Sequence, residues 1–236
     1  MSQINDEIRR LLERLRLRAM PDQIPEGDRK AVVAFLQKEI SAQEQHRIAR
    51  ILATCGLKSK QMRTFDQLDW DFNPKIPKQE ILAFRNSPWI EEARNLVLIG
   101  DVGIAKSHIV KSLLYDAALN GHTALFISVF DLLSKIKSSP VPYKRIDYYG
   151  KNIRILCLDE LGYTVHSKED ADLLFQIISK RSEALPTLVT TNLSPKKWGT
   201  IFSGMAASAI LDRLSYKGKF LAWEGPSGRT PKDLTN

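Results

Sequence analysis

Asn95–Val110 reads NLVLIGDVGIAKSHIV. An apolar run, Leu96–Ile99, leads into Gly100-x-x-Gly103-x-Ala105-Lys106-Ser107, and a helical pattern follows. Strand, glycine turn and helix in that order make a phosphate-binding loop. Backbone N–H groups curl around phosphate oxygens, a lysine reaches the outer phosphates, and a Ser or Thr hydroxyl meets Mg²⁺. Lys106 and Ser107 stand at those two positions, so ATP with Mg²⁺ is the expected ligand. The nucleotide-contacting set is Gly100, Asp101, Val102, Gly103, Ile104, Ala105, Lys106, Ser107 and His108. For His108, which could touch the sheet or the nucleotide, an ordinary helix histidine is the favoured reading. One position departs from the pattern. Ala105 stands where a glycine is expected before the lysine, and its methyl group narrows the backbone's choices. Asp101 adds negative charge near the phosphates unless it points to solvent.

Downstream, RILCLDELGY (Arg154–Tyr163) is an apolar strand that delivers Asp159 and Glu160 at its carboxyl end. The first carboxylate is assigned to the Mg²⁺ shell beside Ser107, and the second to orienting the attacking water. A further strand, Thr187–Thr191, ends at Asn192, which reads as a γ-phosphate sensor or as a cap or turn residue. In AILDRLSYKG, Arg213 is a candidate finger for a neighbouring subunit's nucleotide; the alternative is a pair with Asp212 or a surface acid. Tyr163 and Trp198 read as packing residues. His46, His122 and His166 show no metal-ligand spacing.

Strands at 96–99, 123–128, 153–158 and 187–191 alternate with helices at 107–119, 131–137 and 169–181, and Phe220–Trp223 suggests an edge strand. That alternation implies an α/β fold, a mostly parallel sheet covered by helices on both faces. Before it, residues 5–18 form a short amphipathic helix ended by Pro21 and Pro25, and 28–54 a longer one stopped at Gly56. Three regions follow: a helical arm at 1–60, a linker with approach helices at 61–94, and the nucleotide core at 95–236. In the linker, Phe65, Leu68, Trp70 and Phe72 are expected to clamp FDQLDWDFNPKIP across the core, with ligand contact as the alternative.

The chain has 236 residues, 35 Lys and Arg against 27 Asp and Glu, and a formal charge of +8. Residues 1–64 hold thirteen basic and eight acidic side chains, and 135–154 hold six basic ones against Asp147 alone. Such charge suits a polyanionic partner, or simple solvation. Lys135–Arg154 and the arginines of the first helices are the candidates for contacting duplex DNA, through phosphates rather than bases. Two cysteines, Cys55 and Cys157, imply neither a disulfide framework nor a metal knuckle. With no long apolar segment and no cleavable leader, a cytoplasmic protein without a membrane partner is expected.

The order of landmarks resembles the IstB group of transposition helper ATPases, relatives of the helicase loader DnaC. The segments are TFDQLDW, NLVLIGDVGIAKSH, GHTALFISVFDLL, LCLDELGY, ADLLFQIISKR, TLVTTNLSPKKWGTIF and SAILDRL. The resemblance covers nearly the whole chain. It implies a P-loop NTPase fold of the AAA+ type with a small helical N-terminal region. It also implies a homo-oligomer that forms on duplex DNA with ATP and recruits or stimulates a transposase. On this chain it maps Lys106 and Ser107 to the nucleotide pair, Asp159 and Glu160 to the acidic pair, Asn192 to the sensor and Arg213 to the finger. With 44 residues after Asn192, a full lid domain is not expected. The family loop is usually GPPGxGK[ST]H, so Asp101, Val102 and Ala105 depart from it and imply weak ATP hydrolysis. A DnaC-like loader of a replicative helicase and a non-hydrolysing DNA-binding adaptor are the alternatives.

Overall fold

The computed structural model describes residues 2–57, 64–163, 167–202 and 204–228. The chain divides into two compact units, Met1–Ile51 and Leu52–Asn236. In the first, α1 (Ser2–Arg14) buries Ile8 and Leu12, one helical turn apart, against Leu36 of α2 (Arg29–Thr54). The first helix ends earlier than its prolines suggested. Arg16 enters the left-handed region at φ 57, while Arg16 N bonds to Glu13 O and Leu17 N to Leu12 O. Those paired bonds satisfy the last carbonyls, so the stop is a Schellman turn rather than Pro21.

The second unit begins with the segment expected to clamp the core. Phe65 and Trp70 stack with ring centroids 6.2 Å apart. Phe65, Ile76 and, from α3 (Lys78–Arg85), Ile81 and Phe84 are buried in one cluster with Leu96 and Leu98. The stretch after Pro88 is hydrogen-bonded turn rather than helix.

The sheet takes β1 (Leu96–Ile99), β2 (Ala124–Ser128), β3 (Ile155–Leu161), β4 (Thr187–Thr191) and β5 (Lys219–Ala222) in the order β2-β3-β4-β1-β5, every pairing parallel. Successive side chains of a strand face opposite ways. Leu96 and Leu98 therefore pack with α4 (Lys106–Leu119), through Ile109, Leu113 and Ala117. Val97 and Ile99 enter the opposite core with Leu156, Leu158 and Val189. There they meet α5 (Val129–Lys137), α6 (Pro142–Asp147), α7 (Lys168–Arg181) and α8 (Gly204–Ser215). Two buried faces explain why the strands are continuously apolar.

A turn of π-helix, Tyr148–Asn152, follows α6 and is fastened by Arg181, whose side chain is fully buried. Its guanidinium donates to the carbonyls of Tyr149, Ile153, Arg154 and Pro186 and to Thr187 Oγ1, at 2.7–3.1 Å. Burial first, and then Arg154, pull its pKa down to about 9, so it is a cation at neutral pH.

The basic stretch at 135–154 is less uniform than its composition suggested. Lys137 pairs with Asp170 at 2.6 Å, Lys151 with Asp147 at 3.4 Å, and Arg154 donates to Ile90 O at 2.9 Å. Lys135, Lys144 and Arg145 are exposed. Among the described residues no helix is long and apolar enough to cross a membrane, and no His, Cys, Asp or Glu cluster has metal-site geometry. His166 lies outside the described residues.

Candidate nucleotide site

Where β1 ends, Gly100 N bonds to Thr191 O at 3.1 Å. The loop then turns through Gly103 at φ 86 and Ala105 at φ 75, and α4 starts at Lys106. A Cβ on Gly103 would run into Ser227, so that position needs glycine for space as well as conformation. Ala105 adopts the left-handed geometry expected of the missing glycine and keeps its methyl group, at a cost of about 1–2 kcal/mol. The first-turn N–H groups of α4 have no acceptors within the helix, which makes its start an anion site.

Lys106 is 8% exposed, and its ammonium donates to Gly100 O at 2.6 Å and Asp101 O at 2.7 Å. Asp101 itself is exposed and is not part of the cleft wall. The cleft, about 640 Å³, lies within the usual range for small-molecule sites. Of the predicted loop set, Val102, Gly103, Ala105, Lys106, Ser107 and His108 line it. Gly100, Asp101 and Ile104 do not; Ile104 is fully buried and its carbonyl accepts from Trp223 Nε1 at 3.1 Å.

The acidic pair owes its placement to a break in the sheet. The β3–β4 register shifts between Leu158 and Leu161, and Glu160 takes φ 61. The irregularity sends the two carboxylates different ways: Asp159 is 7% exposed, while Glu160 is exposed and lines the cleft. Ser107 Oγ donates to Asp159 Oδ1 at 2.9 Å, and Thr190 Oγ1 donates to the same oxygen. Thr190 Oγ1 also accepts from Glu160 N at 3.1 Å. One hydroxyl on β4 therefore holds both members of the pair. Ser107 and Asp159 form an all-oxygen donor set on facing elements, which fits a hard divalent cation such as Mg²⁺.

Asn192 follows the tip of β4, outside the cleft wall, and its Oδ1 is buried with no hydrogen-bond partner among the described residues. Arg213 lies on α8 and does not line the cleft. Its guanidinium stacks over Phe175 at 4.6 Å, donates to Ala209 O at 3.1 Å and stands 3.8 Å from Asp212. Trp198 is fully buried, as expected. Tyr163, read as a packing residue, is instead 47% exposed on the cleft wall. Burial raises the Cys157 thiol well above its ordinary value, which leaves it an inert core residue.

Three parts of the wall lie outside the predicted nucleotide-contacting set. Leu68, Asp69, Asp71 and Phe72 come from the aromatic linker, and Pro226–Gly228 from the C-terminal segment. Asn73 Nδ2 joins the two segments by donating to Glu224 O at 3.0 Å, and Gly228 N reaches Gly103 O at 3.0 Å. Lys111, the third, projects from α4 into the cleft.

A glycine loop between β1 and α4, with a carboxylate pair two strands away across β4, defines a P-loop NTPase. Solved structures share the fold. DnaI superposes with a TM-score of 0.61 at 22% identity, covering 73% of this chain and 94% of that one. The replication initiator DnaA, bound to AMPPCP and single-stranded DNA, gives 0.59 at 14% identity, covering 72% and 51%. The family model for the IstB-like ATP binding protein matches residues 13–235, and the chain belongs to that family. A relative named as the ATP-binding protein of insertion sequence IS232, from Bacillus thuringiensis subsp. berliner, is 32% identical over 202 residues, 84% of this chain and 80% of the relative. Its counterpart named for IS21, from Pseudomonas aeruginosa, is 29% identical over 172 residues, 71% and 64% of the two chains.

Proposed function

We propose that the chain is an ATP-binding regulator of DNA transposition that oligomerises on duplex DNA, recruits or stimulates a transposase, and hydrolyses ATP slowly. The observation that carries this reading is the convergence of Lys106, Ser107, Asp159, Thr190 and Glu160 at one cleft. Leu68, Phe72 and Pro226 give the base an apolar wall. Lys106 exchanges its loop carbonyls for the outer phosphates, and Ser107 with Asp159 holds Mg²⁺. When bound, that ion neutralises the phosphate oxygens. Glu160 orients the attacking water from its exposed place on the bulge, and Asn192, just past the tip of β4, reports on the γ-phosphate. Arg213, away from the cleft of its own chain, serves a neighbour's nucleotide and couples turnover to assembly. Exposed Arg9, Arg10 and Arg14 of the first unit and Lys135, Lys144 and Arg145 of the second supply phosphate contacts.

The test measures oligomer size on duplex DNA with and without ATP, for the native chain and for Arg213→Ala. ATP-dependent assembly that falls steeply with salt supports the proposal, with Arg213→Ala binding ATP but turning it over slowly. Assembly indifferent to ATP refutes it and favours the adaptor. The fold shared with DnaI and with the DnaC helicase loader, the latter at a TM-score of 0.50, favours a loader as the second reading. Capture of a replicative helicase instead of a transposase decides for it.

A further inference from the structure

Lys111 stands one turn beyond Ser107 on α4, on the same face of the helix. Helical side chains lean toward the N-terminus, so its stem is directed back toward the Ser107 turn. It lines the cleft with Ser107, His108 and Glu160. Its ammonium lies 4.6 Å from the centre of the Phe126 ring, and Phe126 is in register with Cys157 on the neighbouring strand. Cys157 is fully buried and precedes the metal-binding carboxylate Asp159 by two residues on β3, so Phe126 stands beside the strand that carries Asp159. Among the described residues this lysine meets an aromatic face, a contact that leaves its charge unneutralised.

A fixed unit charge at that place has two effects of opposite sign. It attracts nucleotide phosphate, and it repels a divalent cation at Ser107 and Asp159. We propose that Lys111 is a built-in countercharge on the metal side of the cleft, one that lets the site hold ATP without metal and weakens its grip on Mg²⁺. The proposal rests on the reading of the cleft as an ATP and Mg²⁺ site. It makes nucleotide binding, and the assembly that depends on it, less sensitive to free Mg²⁺ than Ser107 and Asp159 alone would allow.

The experiment measures fluorescent-ATP binding to the full chain by anisotropy, first in EDTA and then along a Mg²⁺ titration, for native protein, Lys111→Met, Lys111→Arg and Lys106→Ala. Methionine keeps the stem on Phe126 and removes the charge. The expected result is that Lys111→Met loses about tenfold in metal-free ATP affinity, while the Mg²⁺ concentration for half-maximal enhancement falls by about the same factor; Lys111→Arg keeps both values near native. A structural role for Lys111 would move both properties in the unfavourable direction, and that result overturns the proposal, as does the absence of any change. If the native chain and Lys106→Ala bind ATP equally poorly with Mg²⁺ present, the ATP reading of the cleft itself fails. If Lys106→Ala loses ATP while Lys111→Met behaves as native, only the Lys111 inference falls.

Discussion

Replacing Ala105 by glycine should stabilise the protein, although it alters the loop at its most constrained point. Ala105 caps α4 at φ 75 and ψ 3, where an L-residue is disfavoured by about 1–2 kcal/mol and glycine is not. Glycine also loosens the unfolded chain, which costs about 0.4–1 kcal/mol in return. The balance is a net gain of about 0–1.6 kcal/mol, centred near 0.8. For a chain of this size, 1 kcal/mol moves Tm by about 2–4 °C, so Ala105→Gly should melt about 2–3 °C higher. Ala105→Val should melt lower than native, because a β-branched residue tolerates the left-handed region worst. Differential scanning calorimetry without nucleotide compares the three proteins directly. A fall of 2 °C or more in Ala105→Gly, or a rise in Ala105→Val, would place Ala105 in an ordinary right-handed conformation and remove the account of how this loop curls without its glycine.

Three further outcomes follow from particular contacts. Arg181→Met leaves four carbonyls and Thr187 Oγ1 without their donor, and should cost about 3–5 kcal/mol in urea unfolding. Thr190→Val keeps the volume but frees Asp159 and the Glu160 amide; expect a loss of about 1–3 kcal/mol and a fall in ATP turnover larger than the fall in ATP binding. At Asp170, burial raises the carboxyl pKa, but hydrogen bonds from Lys137 and Ser167 outweigh it and leave a net value below 3.8. A depressed carboxyl stabilises the fold above its unfolded value and loses that contribution as pH falls through the folded one. Asp170→Asn should therefore be about 1 kcal/mol less stable than native at pH 7, with the gap closing below about pH 3.8 in pH-resolved urea melts.

The sheet was readable because burial on both faces makes the central strands largely apolar runs, as at Leu96–Ile99 and Ile155–Leu158. The phosphate loop was readable because its chemistry lies within eight consecutive residues. What escaped depends on contacts distant in sequence. Thr190 looks like any strand-end threonine until the β3 bulge brings Asp159 and Glu160 to its hydroxyl. Arg181 looks like a basic residue in the last turn of a helix, yet its partners are carbonyls on three other segments. The C-terminal wall at Pro226–Gly228 is more than a hundred residues from the loop it covers. Composition also overstated the positive charge of 135–154, because Lys137 finds Asp170, an acid outside that stretch, only after folding.

Gly100–Ser107, completed by Asp159, makes a nucleotide site despite Ala105. Isothermal titration calorimetry of ATP with Mg²⁺ into the full native chain and into Lys106→Ala tests it most directly. Saturable one-site binding to the native protein, weakened at least about a hundredfold by Lys106→Ala, is the expected result. No heat of binding from the native chain, or equal affinity in the two proteins, would contradict it.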